Sequence, residues 1–356
     1  VKRILVSVLA LTLAASFILS GCTQQAATTA PATAPTTAPT AAQPIELIMN
    51  DHNPAASGPG QTNIYWVEQV NKLAAGRLHI TIYSGGSLLS GEEAYRGVQT
   101  GVCDIAQYVV DTREGFALNL IMSLPFMGWP KEHVEDKYMT LMNEFPEMRA
   151  EWKGVSILSV MMMPPTQLHN TQKVVTVPSD IKGMKILGAE TMTVAAAEEA
   201  GATAVTLDIS EMATSLNSGL VQGIINHFPV CMIFGALELL PYHTIFGDGG
   251  INMSPAYLIM NTEKLNSLPP DLKQLLIDSG KIWYDKFCEN TDAEIKASQA
   301  FVTEHNQTMT YLTPEQIKVW YDLVKAPIHD KWIADCEAKG LPGQAVYDRA
   351  LQLAKQ

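Results

Sequence analysis

Cysteine is scarce in this chain. Five occur in 356 residues, at positions 22, 103, 231, 288 and 336, and no C-x-x-C pair is among them. That spacing excludes a zinc ribbon or a disulfide-stapled miniature fold, and leaves the last four open to free thiols or long-range bridges. Positive charge is also short. Lys and Arg number 24 against 36 Asp and Glu, for a formal charge of −12. Such acidity argues against nucleic acid and against an electrostatic contact with anionic lipid. Catalytic signatures are missing too: no G-x-S-x-G, H-E-x-x-H, Walker A or G-x-G-x-x-G is present.

Only one long apolar run occurs, at residues 4–19, behind Lys2 and Arg3 and ahead of Leu-Ser-Gly-Cys at 19–22. Two cations, an apolar stretch and a small-residue cleavage site describe a secretory signal peptide over 1–21. A membrane-spanning helix wants about 20 apolar residues. The Leu-Ser-Gly-Cys ending resembles a bacterial lipobox, which implies a lipidated Cys22 holding the protein at the outer face of a membrane. Residues 22–43, rich in Ala, Thr and Pro, cannot bury a core and form a solvated tether. Loss of Lys2 and Arg3 with the signal would take the charge from −12 to −14. The 313 residues from Pro44 onward suffice for two domains.

The body alternates strands and helices. IELIMN (45–50) reads as a buried strand before a turn-rich loop, and from Asn63 the positions of Trp66, Val67, Val70, Leu73 and Ala74 have helical spacing. RLHITIY (77–83) alternates as a strand. Ser90 and Glu93 form a capping-box signature for a helix ending at Gly101, and CDIAQYVV (103–110) is a third strand. The order repeats through VSILSVMMM (155–163), MKIL (184–187), a helix ending near Gly201, TAVTL (203–207), a helix start at Asp208 and Glu211, and GIINHF (223–228). The last third is helical, with Thr313, Pro314 and Gln316 marking one start. β-α-β order implies mainly parallel sheets flanked by helices, and two such units imply a cleft at the carboxyl ends of the strands. The fold class is therefore α/β, with two lobes, a ligand cleft between them and long C-terminal helices. The first lobe is expected over 44–164 plus about 253–305, the second over 165–252 plus about 306–356.

The stretches IYSGGSLLSGEEAYRGVQTGVCDIA, LPFMGW, VPSDIKGMKI, GATAVTLDISEMATSLNSGLVQGIINHF and LPPDLKQLL, in that order, resemble the solute-binding proteins of TRAP transporters, the tripartite ATP-independent importers. The resemblance covers residues 44–340 and implies a periplasmic-binding-protein fold. It also implies a lipid-tethered, monomeric receptor, without cofactor or catalysis, that closes on a small-molecule solute. The receptor would pass that solute to a membrane permease with small and large subunits, driven by an ion gradient. Most members end the strand matching GMKIL with an arginine that clamps a ligand carboxylate, a task suited to guanidinium. This chain has Leu187 there, and Gln167 where some members carry a second arginine; the asparagine that backs the ligand is matched by Asn226. The expected solute is accordingly atypical: neutral, hydroxylated, aromatic, cationic, or a carboxylate bridged by a metal.

Further candidates for the cleft follow from their places after strands. Asp51, His52 and Asn53 follow the first strand, Tyr108 and Asp111 end the third, and Arg113 is the cation available to replace the clamp. Gln167 and His169 lie at the crossover into the second lobe, Glu190 follows Leu187, and His227 and Phe228 adjoin Asn226. Tyr242 and His243 belong to a segment without an assigned element. No ligand spacing tight enough for a metal site is present. Two other readings share the same cleft: a receptor for a signalling kinase, and a secreted hydrolase using carboxylates such as Asp111 and Glu190.

Overall fold

The computed structural model describes residues 43–110, 114–129, 134–188, 191–207 and 209–356, of which 43–356 form one unit. The signal segment, Cys22, Asp111, Arg113, Glu190 and Asp208 lie outside the described residues. Eleven strands are described: β1 (Ile45–Asn50), β2 (Leu78–Tyr83), β3 (Ile105–Val109), β4 (Val155–Met162), β5 (Gln167–Asn170), β6 (Lys185–Gly188), β7 (Thr203–Val205), β8 (Gly223–Asn226), β9 (Tyr242–Ile245), β10 (Pro255–Asn261) and β11 (Thr308–Tyr311). They form two sheets, ordered β2-β1-β3-β10-β4 and β11-β9-β5-β8-β6-β7.

Each sheet is mainly parallel with one reversed strand. In the first, β1 runs parallel to β2 and β3 while β10 is antiparallel to β3 and β4. In the second, β6 is parallel to β7 and β8 while β5 is antiparallel to β8 and β9. The reversed strands exist because the chain crosses between sheets. It leaves the first after β4 and enters the second as β5, then leaves after β9 and returns as β10. β5, β9, β10 and β11 were not legible as strands: β5 and nearly all of β10 are buried without alternation, and β9 and β11 are only four residues long.

The two crossings pair with each other. Met163 N donates to Ser254 O (2.9 Å), Thr166 N to Asn252 O (2.9 Å) and Ile251 N to Thr166 O (2.8 Å). Thr166 Oγ1 donates to Asn252 Oδ1 at 2.5 Å. Gly250 sits here at φ +60°, where a Cβ would collide with the Thr166 carbonyl, so only glycine fits the crossing. A third link is the helix Pro270–Glu304, 35 residues long, which packs along the helix Gly58–Leu73 and leads into β11. Trp66 and Trp283 are fully buried between those two helices, and removing each side chain's apolar surface from water contributes roughly 4 kcal/mol or more. Their indole N–H groups are satisfied by Ser279 Oγ (3.0 Å) and Asn63 Oδ1 (2.7 Å).

Helix boundaries follow local chemistry. Ser57 caps Gly58–Leu73, its hydroxyl accepting from Gly60 N, so this helix begins five residues before Asn63. The Ser90–Glu93 pair does bond, with Ser90 N and Oγ both donating to Glu93 Oε2 (3.1 and 2.8 Å), and holds the turn ahead of Ala94–Thr100. Thr313 and Gln316 form a reciprocal capping box. The strand expected over 223–228 stops at Asn226, because His227 caps the helix Phe228–Ile233 and Pro229 occupies its first turn. The C-terminal region divides. Trp320 Nε1 donates to Thr176 O beside the second sheet (3.2 Å). Farther on, Trp332 Nε1 donates to Ala117 O (2.9 Å) and Arg349 makes a bidentate pair with Glu144 (2.7 and 2.8 Å). The last two helices thus return to the segment between β3 and β4. No helix among the described residues is long and apolar enough to cross a membrane.

Candidate functional site

The carboxyl ends of β1, β3 and β8, the crossing after β4 and the long helix surround a cavity of about 260 Å³. His52, Asn53, Ser57 and Val109 come from the first sheet's loops and strand ends. Asn226, His227, Val230 and Phe234 come from the second. Met163 and Pro164 of the crossing, with Phe287, Thr291 and Glu294 of the long helix, complete the wall. Most of that lining is apolar. Among the described lining residues the only carboxylate is Glu294, and there is no Lys or Arg.

The first loop is built around Asp51. Its Oδ1 accepts from Asn53 N (2.9 Å) and Asn53 Nδ2 (2.8 Å), an Asx turn that leaves the buried Oδ2 unpartnered and brings His52 and Asn53 to the cavity. Asn53 is held from behind as well, its Nδ2 reaching Gln107 Oε1 at 3.1 Å. Burial lowers the His52 pKa, against an opposing pull from Asp51. On the other face, Asn226 Oδ1 accepts from His227 N at 2.8 Å, and His227 Nδ1 accepts from Val230 N at 3.4 Å. Burial drops the His227 pKa to about 4. Its ring is therefore neutral at pH 7, with the proton on Nε2 available as a donor.

Behind Asn226 runs a buried chain of polar contacts. His169 Nε2 donates to Asn226 O (3.0 Å), His169 Nδ1 meets His243 Nδ1 (2.8 Å), and His243 Nε2 meets Gln307 Oε1 (3.0 Å), whose amide N–H donates to Leu237 O (2.9 Å). Phe228 packs on both rings, centroids 4.6 and 5.1 Å away. Burial first, and the facing His243 second, hold the His169 pKa well below the ordinary range.

Of the residues expected at the cleft, His52, Asn53, Asn226 and His227 meet around this cavity. Asp51 stands one step behind as the turn's anchor. Tyr108 does not line it: it is 1 % exposed and packs among Tyr95, Phe116 and Trp152, because strand alternation turns it into the core. Gln167 is committed to the crossing, its Oε1 accepting from Phe246 N at 2.8 Å. His169 and Phe228 belong to the core behind Asn226. Leu187 is 1 % exposed and joins an apolar cluster that includes Ile209, Val230 and Phe234, three residues that also line the cavity. The four cysteines at 103, 231, 288 and 336 are free thiols. Among the described residues no group of three or more His, Cys, Asp or Glu could hold a metal ion.

Glu294 was missed. It lies mid-helix, and its Oε1 accepts from Gly58 N at 2.7 Å across 236 residues of sequence. Gly58 permits this seat, since a Cβ there would come within 2.6 Å of the carboxyl carbon. Burial raises the Glu294 pKa, partly offset by the Gly58 contact.

Comparison with known proteins places this architecture. A TRAP solute-binding protein from Rhodoferax ferrireducens, in complex with copurified benzoate, superposes with a TM-score of 0.78 at 21% identity, over 87% of this chain and 98% of that one. A TRAP periplasmic solute-binding protein from Desulfovibrio salexigens, an open complex with the C-terminus of a symmetry mate in its ligand site, gives 0.74 at 25% identity, over 87% and 95%. By sequence, the 2,3-diketo-L-gulonate-binding periplasmic protein YiaO of Escherichia coli is 21% identical over 211 residues, 58% of this chain and 62% of that one. This chain spans about three-fifths of the length of three of the curated relatives it matches. The DctP family, described as bacterial extracellular solute-binding protein family 7, matches residues 50–335. With its paired mixed sheets and the cavity at their strand ends, the chain belongs to that family.

Proposed function

We propose that this chain is an extracytoplasmic solute receptor of the TRAP type. The cavity carries the reading: it opens at the strand ends of both sheets, where Asn53 and His52 on one side and Asn226 and His227 on the other can engage one small solute together. Hinge closure about the paired crossings would bring the two sets onto the solute. In this reading the first lobe comprises 44–164 and about 253–305, joined by the returning C-terminal helices, and the second comprises 165–252 and the stretch from about 306. Cys22 anchors the receptor at the outer membrane face, the 22–43 tether gives it reach, and a two-subunit permease receives the solute from a receptor monomer.

The solute has an apolar frame, matching Val109, Ile209, Phe234 and Phe287, and it is not held by a carboxylate clamp at Leu187. The benzoate complex of the Rhodoferax protein supports an aromatic frame. C4-dicarboxylates and sialic acid should bind poorly. Native mass spectrometry of the purified full chain, followed by denaturation to release any co-purified solute, tests this together with small-angle scattering. A released solute whose re-addition shrinks the radius of gyration upholds the reading. Micromolar binding of a C4-dicarboxylate would overturn the solute class, and the lack of closure with any solute would overturn the receptor.

A further inference from the structure

Glu294 has a second carboxylate oxygen. One oxygen is engaged by Gly58 N at 2.7 Å, where the side chain completes the start of the Gly58–Leu73 helix. The neighbouring Asn290 steadies the same spot by donating to Gly58 O (3.1 Å) and Thr62 Oγ1 (3.0 Å). The residue nevertheless lines the cavity, and no described ion pair or second hydrogen bond occupies it. The rings of His52 and His227 line the same cavity, both biased toward the neutral form by burial. The amides of Asn53 and Asn226 and the hydroxyls of Ser57 and Thr291 complete the polar set. A carboxylate in a largely apolar pocket with no described cation is an unneutralised charge, and desolvation on closure makes it costlier.

Resting on the receptor reading above, we infer that Glu294 is a specificity-determining residue and that the solute carries a cationic N–H group on an apolar frame. Its ammonium would pair with the free Glu294 oxygen. The apolar frame would lie against Phe234 and Phe287, and Asn226 and the His227 Nε2–H would serve acceptors elsewhere on the molecule. An anionic group placed next to Glu294 would face a like charge in a water-poor site.

The test uses three probes on one frame, benzylamine, benzyl alcohol and benzoate, with the full chain and with Glu294→Gln. Glutamine keeps an oxygen for Gly58 N and removes the charge, so a merely structural role would leave the preference among probes unmoved. Calorimetric titration should rank the wild type amine over alcohol over acid. Glu294→Gln should weaken the amine by about ten- to a hundredfold, the range of one charge-assisted hydrogen bond, and flatten the ranking. Benzoate binding tightest to the wild type, or an unchanged ranking in Glu294→Gln, would overturn the inference. If none of the probes binds, the co-purified solute decides: a cationic nitrogen upholds the inference, and an anion without one overturns it while leaving the receptor reading intact. With neither probe binding nor a co-purified solute, both fall.

Discussion

The two faces of the cleft are built alike and furnished differently. Both come from the ends of a mainly parallel sheet with one reversed strand. The first face presents a polar loop fixed by Asp51 and a long-helix carboxylate reached through Gly58. The second presents Asn226 and a neutral His227 over apolar ground, with Leu187 sealed beneath. In the family resemblance, the second face would carry an arginine and bind a carboxylate by charge. Here formal charge among the described lining residues has moved to the first face and changed sign. Scaffold and recognition chemistry are thus separable, and a family assignment does not carry a solute with it.

Restoring the arginine breaks that contrast most sharply. Leu187→Arg would bury a guanidinium among Met212, Leu216 and Ile224 with no described partner, so stability should fall by about 3 kcal/mol or more. Urea unfolding measures this, and benzoate should recover part of the loss if the new cation reaches the cleft. A loss below about 1 kcal/mol would mean that the second face is wetter than its burial indicates.

Acid should act nearly as strongly, and on the second face. His227, His169 and His243 all have folded pKa values below their unfolded ones, with burial as the main cause. The folded chain therefore holds fewer protons than the unfolded one as pH falls. Their stability is fully present above about pH 6.5 and is lost as pH falls through each lowered folded value, which for His227 is about 4 and carries about 3 kcal/mol. The raised pKa of Glu294 acts in the opposite sense on the first face. Denaturant midpoints at pH 7.5 and pH 5 should differ accordingly; equal midpoints would mean that these rings are not held neutral.

Smaller changes sharpen the comparison. Asn53→Ala removes the side chain that joins Asp51 to Gln107 and should cost about 1–2 kcal/mol through the polar groups left unpaired. Asn226→Ala deletes one contact to His227 N and should cost less in stability, with its larger effect on solute affinity. Thermal melts and titration with the co-purified solute separate the two. The smallest effect is expected at Arg77→Ala, far from both faces. Its 2.5 Å pair with Asp271 is more than half exposed, and water screens such a pair, so the thermal midpoint should barely move.

Much of the frame was legible because it is written locally. The Trp66–Val70 spacing, the Gly101 stop and the Thr313–Gln316 box each specify an element through neighbours a few residues away. The site was legible only in part. His52, Asn53 and His227 follow strands and Asn226 ends one, and residues at the ends of parallel strands face the cleft. Tyr108 and His169 lie within strands, where placement depends on which face is buried, and that is settled by the partner sheet rather than by the strand.

The residues alone determined the α/β order, the helix starts and the absence of an arginine at position 187. The tertiary structure decided which polar groups meet. β5, β9, β10 and β11 found partners only once the chain had crossed between sheets. His169 and His243 became a buried pair only when β5 and β9 aligned. Glu294 reached the cleft only because a 35-residue helix laid it against Gly58. Local rules act over a turn of helix or a strand, whereas a site joins groups hundreds of residues apart, and only packing fixes that distance.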